Sequence, residues 1–552
     1  MDKILKPNSR QIEWYRRGLT AFIHFGINTF TCTEWGSGEE DPAVFNPTAL
    51  DCRQWIKTLK DAGFGVAILT VKHHDGFCLW PSKYTEHTIK KSPYKDGKGD
   101  IMREFVDACN EFGVKAGVYL SPWDKHEKTW GTPLYNDFYV NQLTELLTNY
   151  GEIWEVWWDG AGSVEAKYDW TRWNNTVRTL QPNAIIFGSF SAAPFIDVRW
   201  AGNELGYAGK PCWATVDLSS IEKEIVPEIN SGKFMGERFI PAEIDVSIRP
   251  GWFYKEHQDS LVRSPKNLFE IWLTSIGRNA GLLLNIPPDT RGLFNENDVK
   301  SINEFGKYLK DNLKNNLLDG ATVTASDYVP NFGPQNLTDK QEETYYKSSK
   351  NSAVIEYSFA KDKTFNTVVI EEMIEFGHIV YGYNVSIKQD GEWEVLFKNE
   401  CLGNRCVEKF DPVTASAIRL EITDAIDLPC IRSFGVYNFG SILGNEFRTT
   451  KGKNILENKA VKVERKDNVL TVFFDGIYPF NTIKMDGKGL VSYEVFVYNG
   501  AMFEPSDGEI KVNTDIVVHK FEKTKYAYQL HIKLNEDVDG KNLDRKLELY
   551  LD

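Results

Sequence analysis

Long apolar runs are missing from this chain of 552 residues. No stretch approaches the roughly 18 apolar residues that a transmembrane helix needs, so we expect no membrane span. The first residues, Met1–Pro7, also lack the apolar core of a signal peptide. The chain is therefore either cytoplasmic or the mature form of an exported protein whose leader has been removed.

Cysteine is sparse as well. Eight cysteines are spread along the chain, and no two of them form a Cys-x-x-Cys pair. This density excludes a disulfide scaffold and favours buried free thiols. Cys401 and Cys406 are close enough in sequence to form a bridge, which their spacing alone leaves open.

Positive charge is in deficit, with a net charge of −14. This balance argues against nucleic acid as a partner, because phosphate binding needs a basic surface. The chain has neither a Gly-x-Ser-x-Gly elbow nor a Walker loop, so an α/β-hydrolase triad and phosphoryl transfer have no support. Aromatic residues are abundant, with 16 Trp, 24 Tyr and 33 Phe, as is common in proteins that stack flat ligands and in large cores.

Up to about residue 315, strand-like apolar runs alternate with amphipathic helical patterns. We predict strands at Ala21–Ile27, Gly65–Val71, Lys115–Ser121, Ile153–Trp158, Ala184–Gly188 and Gly281–Asn285. We predict helices at Leu50–Ala62, Ile101–Phe112, Tyr135–Tyr150 and Trp170–Leu180. Alternation over this length favours an α/β fold, a (β/α)8 or TIM-type barrel over residues 1–316, rather than an open sheet. The stretch Asp197–Ile248 breaks the pattern, so we expect an irregular barrel.

After the barrel, strands become short and alternating, and turns come often. This texture is typical of β-sandwiches, and we place one at residues 317–439 and a second at residues 440–552. No long low-complexity linker separates these regions, so we expect the domains to pack against the barrel.

Asp159 is the first candidate for chemistry. It closes the aromatic run Ile153–Trp158 and is followed by Gly160-Ala161-Gly162. Catalytic residues of (β/α) barrels lie at the carboxyl ends of the strands, and tryptophans offer flat walls for a sugar ring. An Asp that only caps a turn or helix is the plain alternative.

A second carboxylate is needed to break a glycosidic bond, since one group protonates the leaving oxygen while the other attacks or activates water. Glu204, within a stretch rich in aromatics and glycine at 199–207, is the leading candidate. Glu243 is the reserve, and Glu34 and Glu237 are weaker candidates. Each of them could also be an ordinary surface or loop glutamate.

Three histidines lie at predicted strand ends: His24, and the pair His73 and His74 before Asp75. Histidine can donate to or accept from a sugar hydroxyl, depending on its tautomer. A metal site is the rival interpretation, but catalytic zinc usually needs three protein ligands, and adjacent strand residues point to opposite faces. We therefore predict that no metal or other cofactor is required.

Taken together, five segments resemble the α-L-fucosidases of glycoside hydrolase family 29. They are Phe22–Gly26, Lys72–Phe77 with the Trp80-Pro81-Ser82 that follows it, Gly117–Trp123, Val156–Gly160 and Arg278–Asp289. The resemblance covers about residues 10–315. It implies a retaining mechanism in which Asp159 forms a covalent fucosyl-enzyme and Glu204 is the acid/base. The segments around Glu204 and at 249–253 are similar to those of the branch acting on α-1,3/1,4 linkages.

The resemblance also implies a set of fucose contacts, of which the match at Trp35 is short. They are His24, Glu34, Trp35, His73, His74, Tyr119 and Trp157, with Arg249 or Trp252 completing the pocket. The implied substrate is a fucosylated oligosaccharide or glycan. A glycosidase for a related sugar, such as an α-L-galactosidase, and an inactive sugar-binding protein are the alternatives.

Residues 318–438 resemble a discoidin-like β-sandwich, carried by Leu318–Ser326 and Ile431–Tyr437. Such a module implies carbohydrate binding, and a purely structural buttress is the alternative. A structural calcium ion in this C-terminal module is left open. Because relatives with such modules are often exported, we expect export to the periplasm or the medium. The oligomeric state is not fixed by the sequence.

Overall fold

The computed structural model describes residues 4–162, 166–442, 454–498, 503–536 and 545–551. Its N-terminal part is a closed barrel of eight parallel strands in which each strand pairs with its sequence neighbours and the last closes on the first. The strands are β1 Leu19–Ile23, β2 Phe64–Lys72, β3 Lys115–Leu120, β4 Glu155–Trp157, β5 Ile185–Gly188, β6 Val198–Trp200, β7 Ala242–Ser247 and β8 Gly281–Asn285. The predicted TIM-type barrel is therefore confirmed.

Helices surround this barrel and bury its outer face. They are α1 Ser9–Arg17, α2 Ile27–Thr31, α3 Cys52–Asp61, α4 Ile101–Phe112, α5 Tyr135–Asn149, α6 Trp170–Leu180, α7 Leu218–Glu222, α8 Val226–Ser231, α9 Pro265–Thr274 and α10 Glu296–Leu313. Asp100 caps α4 by accepting from the Arg103 amide, and Gly113 ends it in the left-handed conformation that favours glycine. The apolar faces of these helices join the outward-facing strand residues in one large core.

The barrel is irregular where the sequence pattern failed. Between β5 and β6 the chain makes only a 3₁₀ turn at Phe190–Phe195. Between β6 and β7 lie the short helices α7 and α8 and a two-stranded hairpin, Thr215–Val216 with Arg238–Phe239. Short strands and short helices leave weak periodicity, which is why residues 197–239 could not be assigned from sequence.

Two antiparallel β domains follow the barrel. The first contains β9 Thr322–Ala325, β10 Tyr346–Lys347, β11 Ala353–Glu372, β12 Val380–Gln389, β13 Glu392–Asn399, β14 Cys406–Ala425 and β15 Cys430–Tyr437. The second contains β16 Lys462–Lys466, β17 Val469–Asp486, β18 Leu490–Tyr498, β19 Phe503–Lys511, β20 Ile516–Glu536 and β21 Leu547–Tyr550. Each encloses an apolar cluster of its own.

The first β domain is fastened to the barrel through the segment before β8. The Asn279 amide donates to the Arg405 carbonyl (2.9 Å), and the Val407 amide donates to the Gly277 carbonyl (2.8 Å). Val407 also joins the apolar core of the barrel. These contacts hold the domain against the wall of the barrel, as the absence of a linker had indicated.

All eight cysteines are free thiols, including Cys401 and Cys406. None of the helices within the described ranges combines the length and apolar character needed to cross a lipid bilayer.

Candidate active site

A cavity of about 790 Å³ opens at the carboxyl ends of the barrel strands, where the side chains of successive strand ends converge. Both predicted catalytic carboxylates, Asp159 and Glu204, line it. Eight of the predicted sugar-binding residues line it as well: His24, Glu34, Trp35, His73, His74, Tyr119, Trp157 and Trp252. The structure thus brings together residues that lie far apart in the sequence.

Asp159 lies just past the end of β4 in a polar setting. Its Oδ2 accepts a hydrogen bond from the Tyr119 hydroxyl (2.8 Å), and its Oδ1 accepts from the Ala161 amide (2.8 Å). These hydrogen bonds fix the direction in which the carboxylate oxygens of Asp159 point. A carboxylate oriented in this way at the end of a barrel strand is suited to act as a nucleophile.

Glu204 lies in the loop after β6, in a different environment. Burial, together with the charge of nearby Asp159, raises the pKa of Glu204 to about 7, against opposing hydrogen bonds. The Tyr528 hydroxyl donates one of these bonds to Glu204 Oε2 (2.5 Å). The cavity therefore holds, beside the oriented carboxylate of Asp159, a carboxyl group whose raised pKa suits it to act as an acid.

The histidines of the cavity are neutral acceptors. Burial lowers the pKa of His24 to about 3 and that of His74 to about 4. His24 Nδ1 lies 2.8 Å from Asn285 Oδ1, which can only accept a hydrogen bond. His74 Nδ1 lies 2.8 Å from Ser121 Oγ, and that hydroxyl donates its own hydrogen bond to the Trp123 carbonyl. Each Nδ1 is therefore the donor, which leaves Nε2 as an acceptor for a hydroxyl.

His73 stands beside them, 4.1 Å from His74 between ring centroids. Burial lowers its pKa well below the ordinary value. Its Nδ1 is buried and has no hydrogen-bond partner within the described part of the chain. Buried polar atoms in proteins are usually hydrogen-bonded, and a hydroxyl of a bound sugar would provide a hydrogen-bond partner for this nitrogen.

Aromatic rings form the walls of the cavity. Trp157 stacks on Phe187 with ring centroids 3.9 Å apart, and Phe22 packs against both Trp157 and Tyr119. Trp35 stands at the outer edge, 54% exposed, with its ring 6.2 Å from His74. Such walls suit a ligand with one apolar side and one hydroxyl-bearing side.

Lys255, which was not among the predicted sugar-binding residues, connects two parts of the cavity wall. Its ammonium is buried and forms ion pairs with Glu34 Oε1 (2.6 Å) and with Asp475 Oδ2 (3.0 Å). The other oxygen of Glu34 accepts from the Trp252 amide (2.9 Å). Asp475 belongs to the second β domain, so one lysine joins two parts of the chain at the cavity edge.

Arg249 does not lie where the resemblance implied. It is not among the described residues that line the cavity. Its guanidinium is buried and pairs with Asp298 (2.9 Å) and Asp259 (2.8 Å). Because both carboxylates draw the side chain away from the cavity, Arg249 holds the loop after β7 in place and leaves the pocket to Trp252.

Two of the three competing glutamates, Glu243 and Glu237, lie outside the cavity, whereas Glu34 lines it and is paired with Lys255. Glu243 is fully buried beneath the cavity and accepts hydrogen bonds from the indoles of Trp157 (3.1 Å) and Trp14 (3.3 Å). Glu237 is exposed and accepts from the Leu218 amide near the hairpin (3.3 Å). Neither is among the cavity-lining residues of the described chain.

Several cavity residues escaped the sequence reasoning. They are Trp200, Glu224, Asp245, Lys255, and the side chains of the second β domain, Phe473, Phe474, Asp475, Tyr498, Tyr528 and Gln529. Burial and the charge of Glu204 raise the pKa of Asp245 well above its ordinary value. Asp245 is two residues from Glu243, so both side chains lie on the same face of strand β7. This alternation of polar and apolar residues was the signal in the sequence that could have revealed Asp245 as a cavity residue.

No group of three or more potential metal ligands occurs among the described residues. The His-His-Asp sequence therefore does not form a compact ligand set. The side chain of Asp75 instead accepts from the Asn28 amide group (3.0 Å) and the Phe77 backbone amide (2.7 Å).

Comparison with known proteins agrees with this site. The α-L-fucosidase family model matches residues 7–314. α-L-Fucosidase 1 of Arabidopsis thaliana is 39% identical over 460 residues, which are 81% of this chain and 90% of that protein. The crystal structure of a putative α-L-fucosidase from Bacteroides thetaiotaomicron is 45% identical, with a TM-score of 0.77, and covers 79% of this chain and 98% of its own.

Two further structures extend the comparison. A glycoside hydrolase family 29 member from a rumen bacterium is 30% identical with a TM-score of 0.74, and the match covers both chains completely. A family 29 fucosidase from Ruminococcus gnavus, solved in complex with fucose, is 33% identical with a TM-score of 0.73 over 79% of this chain and 95% of its own. From the matched family model and the full-length likeness, the chain is a glycoside hydrolase and belongs to the α-L-fucosidase family, glycoside hydrolase family 29.

Proposed function

We propose that the chain is a retaining exo-α-L-fucosidase that releases terminal α-1,3/1,4-linked L-fucose from oligosaccharides or glycans. The observation that carries this proposal is the pairing of Asp159 and Glu204 in one cavity, where hydrogen bonds orient Asp159 and the surroundings of Glu204 favour its protonated form. The fucose bound to the R. gnavus relative supports the choice of sugar.

In the first step, Glu204 gives its proton to the glycosidic oxygen while an oxygen of Asp159 attacks the anomeric carbon. The bond from that carbon to the leaving oxygen breaks, the aglycone departs as an alcohol, and a β-linked fucosyl ester remains on Asp159. In the second step, the Glu204 carboxylate takes a proton from water. The water oxygen attacks the same carbon and breaks the ester, so α-fucose is released and both carboxyl groups return to their starting states.

The other cavity residues hold the sugar for this chemistry. The Nε2 acceptors of His24 and His74 are placed to receive hydroxyl protons, and Glu34 offers carboxylate oxygens that Lys255 neutralises. Trp157 and Phe187 supply apolar surface for the C5 methyl group, the feature by which L-fucose differs from L-galactose. An aryl α-L-galactoside hydrolysed faster than the matching fucoside would make the α-L-galactosidase the better assignment.

Azide separates the two catalytic roles through the stereochemistry of its product. In Asp159→Ala, azide fills the space of the nucleophile and attacks the substrate directly, so β-fucosyl azide is expected. In Glu204→Ala, azide attacks the covalent intermediate, so α-fucosyl azide is expected, with rescue of turnover. Near wild-type activity of Asp159→Ala, or an initial β-fucose product from the wild type in NMR spectra, would overturn the retaining mechanism.

The linkage preference rests on the likeness of the segments around Glu204 and Trp252 to one branch of the family. Comparing kcat/KM on Lewis-type trisaccharides with that on an α-1,2-linked trisaccharide tests it, and a preference for the latter would refute it. Sugar binding by the first β domain, a calcium ion there and export stay predictions. Glycan-array binding, metal analysis and cell fractionation would test them in turn.

A further inference from the structure

The second β domain reaches into the cavity across three neighbouring strands. Phe473 on β17, Gln529 on β20 and Tyr498 on β18 are paired side by side in the sheet, and all three line the cavity. The row therefore presents two aromatic rings and an amide to the cavity. Rings flanked by a polar group are the surface on which proteins commonly receive sugars and other flat ligands.

A break in the sheet brings this domain close to the barrel. Pairing between β17 and β20 skips from Phe473, opposite Gln529, to Tyr478, opposite Ala527. Four residues of β17, numbers 474–477, therefore bulge out of the ladder beside Tyr528. Bulges commonly re-aim side chains next to active sites.

The bulge is anchored to the loop that follows β7. The Ile477 amide donates to the Pro250 carbonyl (2.7 Å), and Lys255 pairs with Asp475. A Cβ atom built on Gly476 would lie 2.4 Å from the Pro250 carbonyl oxygen, so the two backbones touch where only glycine fits. The position of the domain relative to the cavity is therefore fixed by contacts on both sides.

Tyr528 is the point at which the domain meets Glu204. Its hydroxyl accepts from the Trp252 indole (3.1 Å) and donates to Glu204 Oε2 (2.5 Å). The indole proton occupies the acceptor side of the hydroxyl, so the tyrosine proton is directed to the carboxylate. With Oε2 held in this way, Oε1 is the oxygen that can carry the acid's proton.

These contacts lie on the side of the cavity from which the leaving group departs. An exo-acting enzyme holds the terminal sugar among the strand ends, and the acid/base must reach the oxygen between that sugar and the next one. Whatever contacts the acid/base from outside the barrel therefore lies beside the aglycone.

We propose that the second β domain forms the leaving-group side of the active site. Tyr528 is a positioning residue for Glu204, and the row of Phe473, Gln529 and Tyr498 receives the pyranose sugars of an oligosaccharide aglycone. This inference rests on the proposed role of Glu204 as acid/base.

The titratable groups around Glu204 come from several elements. From the barrel and its loops these are Asp159, Asp245, Glu34 and Glu224, and from the second β domain they are Tyr498 and Tyr528. Tyr528 gives Glu204 a hydrogen bond from the second domain, and that bond favours the charged carboxylate. Its removal therefore raises the pKa of Glu204, so the alkaline limb of the pH profile moves to higher pH.

The test compares Tyr528→Phe with Tyr493→Phe in the full-length enzyme. Tyr493 bonds His519 within the same domain (2.9 Å) and does not line the cavity, so its variant controls for loss of a tyrosine hydroxyl. We measure kcat/KM, which reports the first step, on a fucosylated trisaccharide and on 4-nitrophenyl fucoside. The trisaccharide needs protonation of its leaving oxygen, whereas the nitrophenyl group leaves with little help.

For Tyr528→Phe we expect a loss of about tenfold or more on the trisaccharide, a smaller loss on the aryl fucoside, and an upward shift of the alkaline limb. Tyr493→Phe should match the wild type in all three. Equal losses on both substrates with an unmoved limb, or behaviour like that of Tyr493→Phe, would overturn the role of Tyr528.

Phe473→Ala provides an independent test of the aromatic row. Its kcat/KM should fall more on the trisaccharide than on the aryl fucoside, through KM, with the alkaline limb unmoved. Equal effects on both substrates would remove the aglycone assignment. If instead the wild type cleaves no fucoside, or azide fails to rescue Glu204→Ala, the proposed function itself fails.

Discussion

The raised pKa of Glu204 makes a quantitative prediction for the pH profile. With a pKa of about 7 instead of the ordinary 4.5, half of the enzyme carries the acid proton at pH 7, compared with about 0.3% otherwise. Burial and the charge of Asp159 thus increase the competent fraction roughly 150-fold. Because Glu204 must be protonated to serve as the proposed acid, kcat/KM on an oligosaccharide should fall about tenfold per unit as the pH rises above 7.

The assay is the profile of kcat/KM against pH for the wild type and for Glu204→Gln, whose amide cannot donate a proton. The variant should lose the alkaline limb and keep a low, flat activity. Glu224→Gln is the matched control, since burial raises the pKa of Glu224 to about 7 in the same cavity. A limb near pH 4.5, a limb that persists in Glu204→Gln, or one that vanishes in Glu224→Gln would each refute the reasoning.

Three further predictions concern neighbouring features. Arg249→Met should reduce the free energy of unfolding by about 3–5 kcal/mol in chemical denaturation, because it leaves buried Asp298 without its partner. Arg53→Met, the control, removes an exposed pair with Glu111 and a contact with the Phe112 ring and should cost at most about 1 kcal/mol; equal effects would contradict the prediction. Glu243→Gln should keep the alkaline limb and show no azide rescue, since Glu243 serves two buried indoles; azide rescue would move the acid role there. EDTA should leave turnover unchanged, and a loss that added metal restores would revive the metal hypothesis.

The sequence predicted most of the barrel because its apolar strands and amphipathic helices have distinct periods. Helices α4 and α6 and strand β8 were predicted at their observed bounds, and β1 was extended too far because Phe25 and Ile27 continue the apolar run into α2. Strand β7 was missed for a physical reason. Glu243, Asp245 and Ser247 alternate with apolar residues as in a surface strand, but their polar face points into the barrel, where indoles and Asn285 bind them.

The site could be predicted to the extent that it lies on the strand ends. Asp159, His24, His73, Tyr119 and Trp157 belong to such ends, and the barrel fold brings them together. Tyr528 and Asp475 could not be predicted from the sequence. Tyr528 lies 324 residues from Glu204, and Asp475 lies 220 residues from Lys255. No local pattern marks a side chain that becomes functional only when one domain docks on another.

The lysine between Glu34 and Asp475 has a consequence for how the enzyme would fail. Lys255 and Tyr528 connect the second β domain to the cavity. Heat or mild denaturant that breaks these contacts while the barrel is still folded would admit water to Glu204. The acid would then titrate as an ordinary glutamate, and the pH optimum would drift downward while the bulk of the fold stayed intact. The pH optimum would thus report on the docking of a domain that carries neither Asp159 nor Glu204.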